Sequence, residues 1–336
     1  MPLQRPFREH EPGYAGIGLT YCRVPYLDDL AGAGEHDVVI VGAPFDEGVS
    51  YRPGTRFGPR AIRAAEDVGG PPERPHMELG VDPFAALSVV DHGDVAVVAA
   101  DLRASHAALR EAVGAILAAD AVPVVLGGDH SISHVMLDAL AGRFGPDGYA
   151  VIHFDTHADT GADVQGVTGL SHGTPFYWAV ERGRLRGDHL VQLGLRGAWP
   201  TPPEFQWMRE RGIRWTTMRE MERAGVHAAV ADAIAYATGK APRVYLTVDV
   251  DVLDPAFAPG TGTPEPGGLT TRELLAAVAD VATQADLAAV DVVEVSPPYD
   301  VADVTALAAH RVILEALSGL ALRRSGRPPH PERPAA

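Results

Sequence analysis

Short apolar runs recur along the chain, and most of them are apolar at nearly every position instead of alternating with polar residues. Eight such runs, rich in Val, Ile and Leu, occupy residues 37–43, 87–93, 122–128, 149–155, 189–195, 213–217, 243–251 and 287–295. Continuous apolarity is typical of strands that are covered by helices on both faces. The pattern therefore predicts eight strands of a buried, mainly parallel sheet.

Segments between these runs carry apolar residues at spacings of three and four, which indicates amphipathic helices. Helices are predicted at 100–120, 132–143, 225–238, 270–284 and 304–322. Thr270 or Thr271 is expected to cap the fourth, because Glu273 stands near its third helical position.

Strands that alternate with helices predict an α/β fold, a three-layer α/β/α sandwich with right-handed crossovers. A closed barrel of eight strands and eight helices is the alternative. The long loop at 251–269, and the lack of a clear helical pattern before residue 189, favour the open sheet.

The chain has 336 residues, enough for one large α/β domain or two smaller ones. Neither a linker nor a break in composition divides it, so one domain is expected over 1–324, with an N-terminal extension at 1–36. The Pro- and Arg-rich segment 325–336 is expected to be a disordered tail. We expect a cytoplasmic protein, because the N-terminus lacks the apolar core of a secretory signal and no segment approaches the length of a spanning helix.

Composition narrows the classes of function. The net charge is −16 and the basic residues are scattered, which argues against a nucleic-acid partner and is compatible with a cationic substrate. Cys22 is the only cysteine, so neither an intrachain disulfide nor a thiolate metal cluster can form. Any bound metal must be held by oxygen and nitrogen.

Polar residues cluster directly after four of the apolar runs: GGDHS at 127–131, DTHAD at 155–159, DVD at 249–251, and Glu294. The carboxyl ends of the strands in an open α/β sheet face one crevice, so these groups are expected to converge. A single Asp or His at a strand end is more often a cap or a hydrogen-bond partner, and GGDHS alone would be a weak signal. D-x-H-x-D followed by D-x-D is much more specific.

Four converging carboxylates would raise one another's pKa unless positive charge compensated them, and a pair of divalent cations supplies that charge. Oxygen-rich, thiol-free ligands with two histidines suit manganese, and nickel or cobalt would also fit. Two such metals lower the pKa of a bound water, which predicts a hydrolytic role. The candidate ligands are His130, Asp155, His157, Asp159, Asp249 and Asp251.

Several longer segments match one known family in order. They are GGDHS (127–131), HFDTHADT (153–160), SHGTPF (171–176), TVDVDVLDPAFAPGTGTPEPGG (247–268) and EVSPPYD (294–300). With them the chain resembles the ureohydrolases, the arginase and agmatinase family of binuclear manganese enzymes that cleave guanidino compounds to urea and an amine. The resemblance runs from VGAPFDEGVSYRPGTRFGPRAIR (41–63) to about residue 320 and is closer to agmatinase-type members than to arginases.

The resemblance implies a role for each matching residue. His172 would shuttle a proton to the departing amine, and Glu294 would orient the guanidinium. Family members are commonly trimers or hexamers, so a homo-oligomer is expected. The two metals would be held by His130, Asp155, Asp159 and Asp249, and by Asp155, His157, Asp249 and Asp251.

Two further aspartates are left out of the ligand set. Asp129 is expected to anchor the GGDHS turn or to support a ligand from behind. Asp254 precedes Pro255 and is expected to shape a turn.

The substrate is less clearly indicated. Residues 160–170 lack the Asn and Ser pattern with which arginases hold an amino acid, so agmatine is favoured over arginine. Asp163 can be read as a partner for the substrate ammonium or as a solvated loop acid. Arg52 and Arg196 would suit a guanidino acid such as guanidinobutyrate or guanidinopropionate, and a guanidino natural product is a further alternative.

A deacetylase-like zinc amide hydrolase and a silent, metal-stabilised scaffold are the alternatives from other classes. Nucleic-acid and membrane partners are not expected.

Overall fold

The computed structural model describes residues 19–65, 75–164 and 166–326. Its central feature is a sheet of eight strands in the order β2-β1-β3-β10-β9-β4-β7-β8, in which every neighbouring pair is parallel. A small antiparallel pair, β5 with β6, lies outside this sheet. The strands are β1 Val38–Ala43, β2 Val89–Asp94, β3 Val122–Gly127, β4 Tyr149–Phe154, β5 Asp163–Val164, β6 Val167–Thr168, β7 Leu190–Leu195, β8 Arg214–Thr217, β9 Arg243–Asp249 and β10 Leu287–Val293.

All eight strands predicted from continuous apolarity are present. Their order is open, with β2 and β8 at the edges, so the barrel alternative is wrong. Two apolar clusters of buried side chains, one on each face of the sheet, account for the pattern. Successive residues of a strand belong to different clusters: Val38 and Ile40 lie in one, Val39 and Val41 in the other. A strand that is buried on both faces has no solvent-facing position to fill with a polar residue.

Ten α-helices occur in the described residues. They are α1 Gly58–Ala64, α2 Pro83–Ala86, α3 Leu102–Ala118, α4 Ile132–Phe144, α5 Pro175–Glu181, α6 Pro202–Glu210, α7 Met218–Ala224, α8 Val226–Lys240, α9 Thr271–Gln284 and α10 Val304–Ser325. The five predicted helices correspond to α3, α4, α8, α9 and α10. Thr270 caps α9 as expected, since its hydroxyl accepts from the Glu273 amide while the Glu273 carboxylate accepts from the Thr270 amide.

The five shorter helices were missed. Each spans at most nine residues, too few for the apolar spacing to repeat clearly. Helix α5 lies in the segment before residue 189, so the expected lack of a helix there was wrong even though the open sheet is right. A proline at the first turn of α1, α5 and α6 was the available signal, because proline is pre-organised for that position.

Helix α10 corrects the expectation that no segment approaches spanning length. By length and composition alone it could cross a membrane, but 83% of its most apolar window is buried inside the fold. It packs against α9 and the adjoining core. This position explains its apolarity as that of a core helix.

The predicted domain boundaries lie partly outside the described residues. Ser325 is the last residue of α10 and Gly326 follows it, whereas 327–336 and 1–18 lie outside the described residues. The single domain over 1–324 and the disordered tail therefore stay predictions.

Candidate metal centre

The chemistry-bearing segments follow the four central strands of the sheet, β3, β10, β9 and β4, which are neighbours in that order. GGDHS follows β3, Glu294 follows β10, Asp249 ends β9, and DTHAD follows β4. Parallel strands bring all their carboxyl ends to one edge, so these side chains meet although the sequence separates them by up to 164 residues.

His130 lies at the centre of the first ligand group. Its Nδ1 is 2.9 Å from Asp159 Oδ2, 3.2 Å from Asp155 Oδ2 and 3.4 Å from Asp249 Oδ2. The opposite ring nitrogen, Nε2, is 3.0 Å from the hydroxyl of Thr247, and this contact fixes the ring orientation. These are the four residues assigned to one metal by the family resemblance.

The second group shares Asp155. His157 Nδ1 lies 3.1 Å from Asp251 Oδ2 and 3.5 Å from Asp155 Oδ1. Backbone amides shape this group, since the Asp251 amide donates to Asp249 Oδ1 at 2.8 Å and the His157 amide donates to Asp155 Oδ1 at 2.6 Å. All six predicted ligands therefore lie around two adjacent points.

The electrostatics of the cluster show that cations would fit it. Burial, together with Asp251 and Asp155, raises the pKa of Asp249 well above its usual value, and burial with Asp155 raises that of Asp251 to about 6. Burial would lower the pKa of His130, but the three carboxylates around it raise that pKa well above 6.5. The ring Nδ1 is buried and makes no hydrogen bond of acceptable geometry with any of them. Without metal, a proton on His130 would offset part of the carboxylate charge, and a divalent cation between Nδ1 and the oxygens would take its place.

One histidine at the centre was missed. The side chains of His153, His130, Asp155 and Asp159 converge closely enough to hold a metal. His153 Nε2 lies 2.8 Å from Asp155 Oδ2, and its Nδ1 lies 3.0 Å from Gln192 Nε2. His153 is thus placed to orient the shared carboxylate. The signal was present in the sequence, because residues two apart on a strand point to the same side.

His172 and Glu294 form a pair beside the first ligand group. His172 Nδ1 is 3.0 Å from Glu294 Oε1, and the same oxygen accepts the backbone N–H of His130 at 2.9 Å. The other oxygen, Oε2, is buried and has no hydrogen-bond partner among the described residues. Glu294 also adopts a left-handed backbone conformation with φ of 64°, a strained state that concentrates at functional sites. Oε2 is therefore left for a further donor.

His172 is expected to titrate far above an ordinary histidine in the metal-free protein. Burial lowers its pKa, but the carboxylates of Glu294, Asp159 and Asp129, led by Glu294, together raise it to about 9. Because the folded pKa lies above the unfolded value of about 6.5, the protonated ring stabilises the fold below pH 6.5, and this contribution is lost as the pH rises to 9. NMR titration of the His172 ring should give a midpoint near 9. Glu294→Gln should move it toward 6.5, and a midpoint that does not move would contradict the pairing.

Asp129 and Asp254 have the turn roles expected of them. Asp129 accepts the amides of Ser131 and Gly48, each at 2.8 Å, and joins the GGDHS turn to the loop after β1. Burial and Glu294 raise the pKa of Asp129 to about 7. Asp254 accepts the amide of Ala256 at 2.9 Å, which closes the turn around Pro255.

A pocket with a volume of about 200 Å³ opens from the candidate metal centre to the surface. Its wall carries Asp159, Asp163 and Glu204, with Trp199 among the other lining residues, and none of the described residues that line it is Lys or Arg. Arg52 lies 5.2 Å from the ring centres of both Tyr51 and Tyr299. Neither Arg52 nor Arg196 reaches the pocket wall, so neither is placed to receive a substrate carboxylate there.

The sequence of the chain also matches known proteins over nearly its whole length. The family model described as "Arginase family" matches residues 36–319. The chain belongs to the arginase family. It is 40% identical to proclavaminate amidinohydrolase of Streptomyces clavuligerus (91% of this chain, 94% of the relative), 38% to guanidinobutyrase of Pseudomonas aeruginosa (94% and 96%) and 39% to agmatinase of Chromobacterium violaceum (91% and 89%).

Solved structures of the arginase family share the fold. The structure of proclavaminate amidinohydrolase from Streptomyces clavuligerus aligns with a TM-score of 0.80 at 35% identity, covering 93% of this chain and all of that one. A formiminoglutamase from Trypanosoma cruzi, solved with Mn²⁺, aligns with a TM-score of 0.77 at 26% identity, covering 85% and 94%. Membership of this family confirms the predicted ureohydrolase resemblance and the activity class, hydrolysis of a linear amidine C–N bond.

Proposed function

We propose that this arginase-family protein hydrolyses agmatine to putrescine and urea with two Mn²⁺ ions in the candidate metal centre. The observation that carries the proposal is the convergence of six candidate metal-ligand side chains at the base of a pocket whose wall, as far as the chain is described, has acidic groups and no Lys or Arg. The converging candidate ligands support guanidino hydrolysis, and the acidic pocket wall supports a substrate with a cationic tail.

Different residues would bind the substrate and donate the proton. Glu294 binds the guanidinium through its free Oε2, which fixes the plane of the group to be attacked. Two divalent cations would supply hydroxide at neutral pH next to the guanidino carbon. His172, which holds a proton beside Glu294, donates it to the departing amine nitrogen, because C–N cleavage needs a protonated leaving group.

The acidic groups support agmatine over a guanidino acid. Asp163 lies on the pocket wall, and Glu204 lies there while its carboxylate also accepts the Thr201 amide that begins α6. A substrate ammonium would be attracted to both carboxylates and to the exposed face of Trp199, which is 62% accessible. A substrate carboxylate would meet like charge on this wall.

A guanidino acid is the second candidate, and the relatives support it as much as they support agmatine. Guanidinobutyrase is 38% identical to the chain and agmatinase 39%, so overall identity does not choose between these substrates. A guanidino natural product is supported in the same way by the likeness to proclavaminate amidinohydrolase. The zinc deacetylase alternative has no such support among these relatives.

A urea-release panel tests the proposal. Purified protein loaded with Mn²⁺, and in parallel with Ni²⁺, is assayed on agmatine, arginine, guanidinobutyrate, guanidinopropionate and guanidine. We expect kcat/KM for agmatine to exceed that for guanidinobutyrate by about tenfold or more, which corresponds to ~1.4 kcal/mol of discrimination. Asp163→Asn should reduce this ratio, whereas the surface control Asp147→Asn should leave it unchanged. If guanidinobutyrate were cleaved faster than agmatine, the assignment of agmatine as the substrate would be wrong. If no compound released urea, the proposed guanidino hydrolysis would be wrong.

Assembly and location remain proposals. By its likeness to family members that are commonly trimers or hexamers, we propose that the protein is a homo-oligomer, without nucleic-acid or membrane partners. A cytoplasmic location is proposed with it.

A further inference from the structure

Arg196 follows β7 directly, and its guanidinium is surrounded by backbone carbonyl oxygens. Nη2 donates to Asp251 O and Glu265 O, each at 2.7 Å, and to Leu253 O at 3.1 Å. Nη1 lies 3.1 Å from Val252 O, and Nε lies 3.1 Å from Pro266 O. One side chain thus contacts both ends of the loop that connects β9 to α9.

This loop carries part of the metal centre and has little regular structure of its own. Residues 250–252 form one turn of 3-10 helix, and an isolated bridge joins Leu253 to Leu269. The loop includes Asp251, whose carboxylate faces His157, and Thr263, whose hydroxyl donates to that carboxylate at 3.3 Å. A loop with so little helix or sheet pairing needs other donors for its carbonyls, and Arg196 provides several of them.

Arg196 also reaches the other ligand segment. Its backbone amide donates to the carbonyl of Thr156 at 3.0 Å, and Thr156 stands between the ligands Asp155 and His157. The amide of Thr156 in turn lies 3.2 Å from Asp251 Oδ1. Arg196 therefore touches the backbone on both sides of the second ligand group without contacting a ligand side chain or the pocket.

Arginine is particularly suited to this position. A guanidinium offers five N–H donors in a fixed plane, whereas lysine offers three on one flexible atom. The surroundings are also built tightly against it, because a Cβ at Gly268 would lie 2.6 Å from Nη2 and 2.4 Å from the Asp254 amide. Only a residue without a side chain lets the loop close over the guanidinium.

We propose that Arg196 is a positioning residue for one half of the metal centre: it fixes the Asp251 backbone so that the Asp251 carboxylate, with the Asp155 carboxylate and the His157 imidazole, forms the second metal site. The inference rests on the proposed two-metal function. Arg196 holds the loop from behind, and it is a substrate ligand in neither proposed reaction.

Manganese binding by Arg196→Lys and Arg196→Met tests this role. The metal-free proteins are titrated with Mn²⁺ by calorimetry, and bound metal is counted after dialysis. We expect two sites in the wild type. In both variants one site should weaken by about 10- to 100-fold, the usual effect of removing a group that supports a metal ligand, while the other keeps its affinity. With agmatine at saturating Mn²⁺, kcat should fall and KM should change little, because Arg196 does not line the pocket.

Arg143→Lys is the matched control, since the Arg143 guanidinium also donates to a backbone carbonyl, that of Leu117, and belongs to neither ligand group. It should bind two metals as the wild type does. If both Arg196 variants bind two ions with wild-type affinity, or lose both sites equally, the proposal is overturned. It is also overturned if neither variant folds, as judged by circular dichroism, because Arg196 would then be needed by the whole fold. A wild-type protein that binds no metal would refute the proposed function instead.

Discussion

Asp249→Asn is expected to abolish turnover and, at the same time, to make the metal-free protein more resistant to heat. Asp249 is a candidate ligand in the His130 group, and its Oδ1 accepts the Asp251 amide. Asparagine keeps that hydrogen bond but loses the charge that attracts the cations. We expect kcat to fall by about 1,000-fold or more, a loss of about 4 kcal/mol of transition-state stabilisation, since the cations supply the nucleophile.

The gain in thermal stability follows from linkage. Burial, Asp251 and Asp155 raise the pKa of Asp249 well above its usual 3.8. A carboxyl group with a raised folded pKa destabilises the fold once the pH exceeds its unfolded pKa, and the penalty grows until the folded pKa is reached. The increase in Tm of the metal-free variant over the metal-free wild type should therefore be larger at pH 8 than at pH 5. Added Mn²⁺ should raise the wild-type Tm and leave that of the variant nearly unchanged.

Calorimetric scans with and without Mn²⁺, at both values of pH, check this prediction together with urea release. Asp280→Asn is the control, because Asp280 is paired with His227 on the surface and should alter neither Tm nor turnover appreciably. A metal-free Asp249→Asn protein that is less stable than the metal-free wild type would contradict the account of crowded carboxylates. Retained turnover would remove Asp249 from the metal centre.

The ligand cluster could be predicted because its signals are short-range. Asp155 and His157 follow a continuously apolar run, as Asp249 and Asp251 do, and a parallel sheet brings strand ends to one edge whatever their order in the chain. The prediction requires only that these strands be parallel members of one sheet, and it does not require knowledge of which strands are neighbours. The predicted sheet therefore placed the ligands together although the order β3-β10-β9-β4 was not predicted.

Other features depend on contacts that no local pattern encodes. Arg196 stands next to an apolar run and looked available to a substrate carboxylate, but its guanidinium is occupied by carbonyls 55–70 residues further along the chain. The residues of the pocket wall were likewise hard to predict from local sequence patterns. Glu204 reaches the pocket from the start of α6, a helix too short to be detected by its apolar spacing, whereas Asp163 was noted only because it lies near the ligands. Such contacts depend on the paths that the loops take over the carboxyl edge of the sheet, and the spacing of residues in the sequence does not specify those paths.

Glu294→Gln is expected to reduce kcat/KM strongly while leaving both metal sites filled. The Glu294 carboxylate contacts the His130 backbone amide through Oε1, and glutamine can still accept that bond. The substitution instead removes the charge at the buried Oε2, where a guanidinium would otherwise form a charge-assisted pair. Removing one partner of a buried ion pair costs about 2–5 kcal/mol, so we expect a loss of about 30-fold to a few thousand-fold.

The division between substrate binding and metal binding makes this prediction specific. Glu294→Gln should bind two Mn²⁺ ions with wild-type affinity, in contrast to Asp249→Asn, and should lose affinity for agmatine and for a guanidino acid alike, because both carry the same guanidinium. Asp163→Asn is the useful comparison, since it should alter the preference between those two substrates without an equal loss for both. Loss of metal from Glu294→Gln would show that its carboxylate supports His130 more than it binds substrate. An unchanged kcat/KM would remove Glu294 from the catalytic machinery.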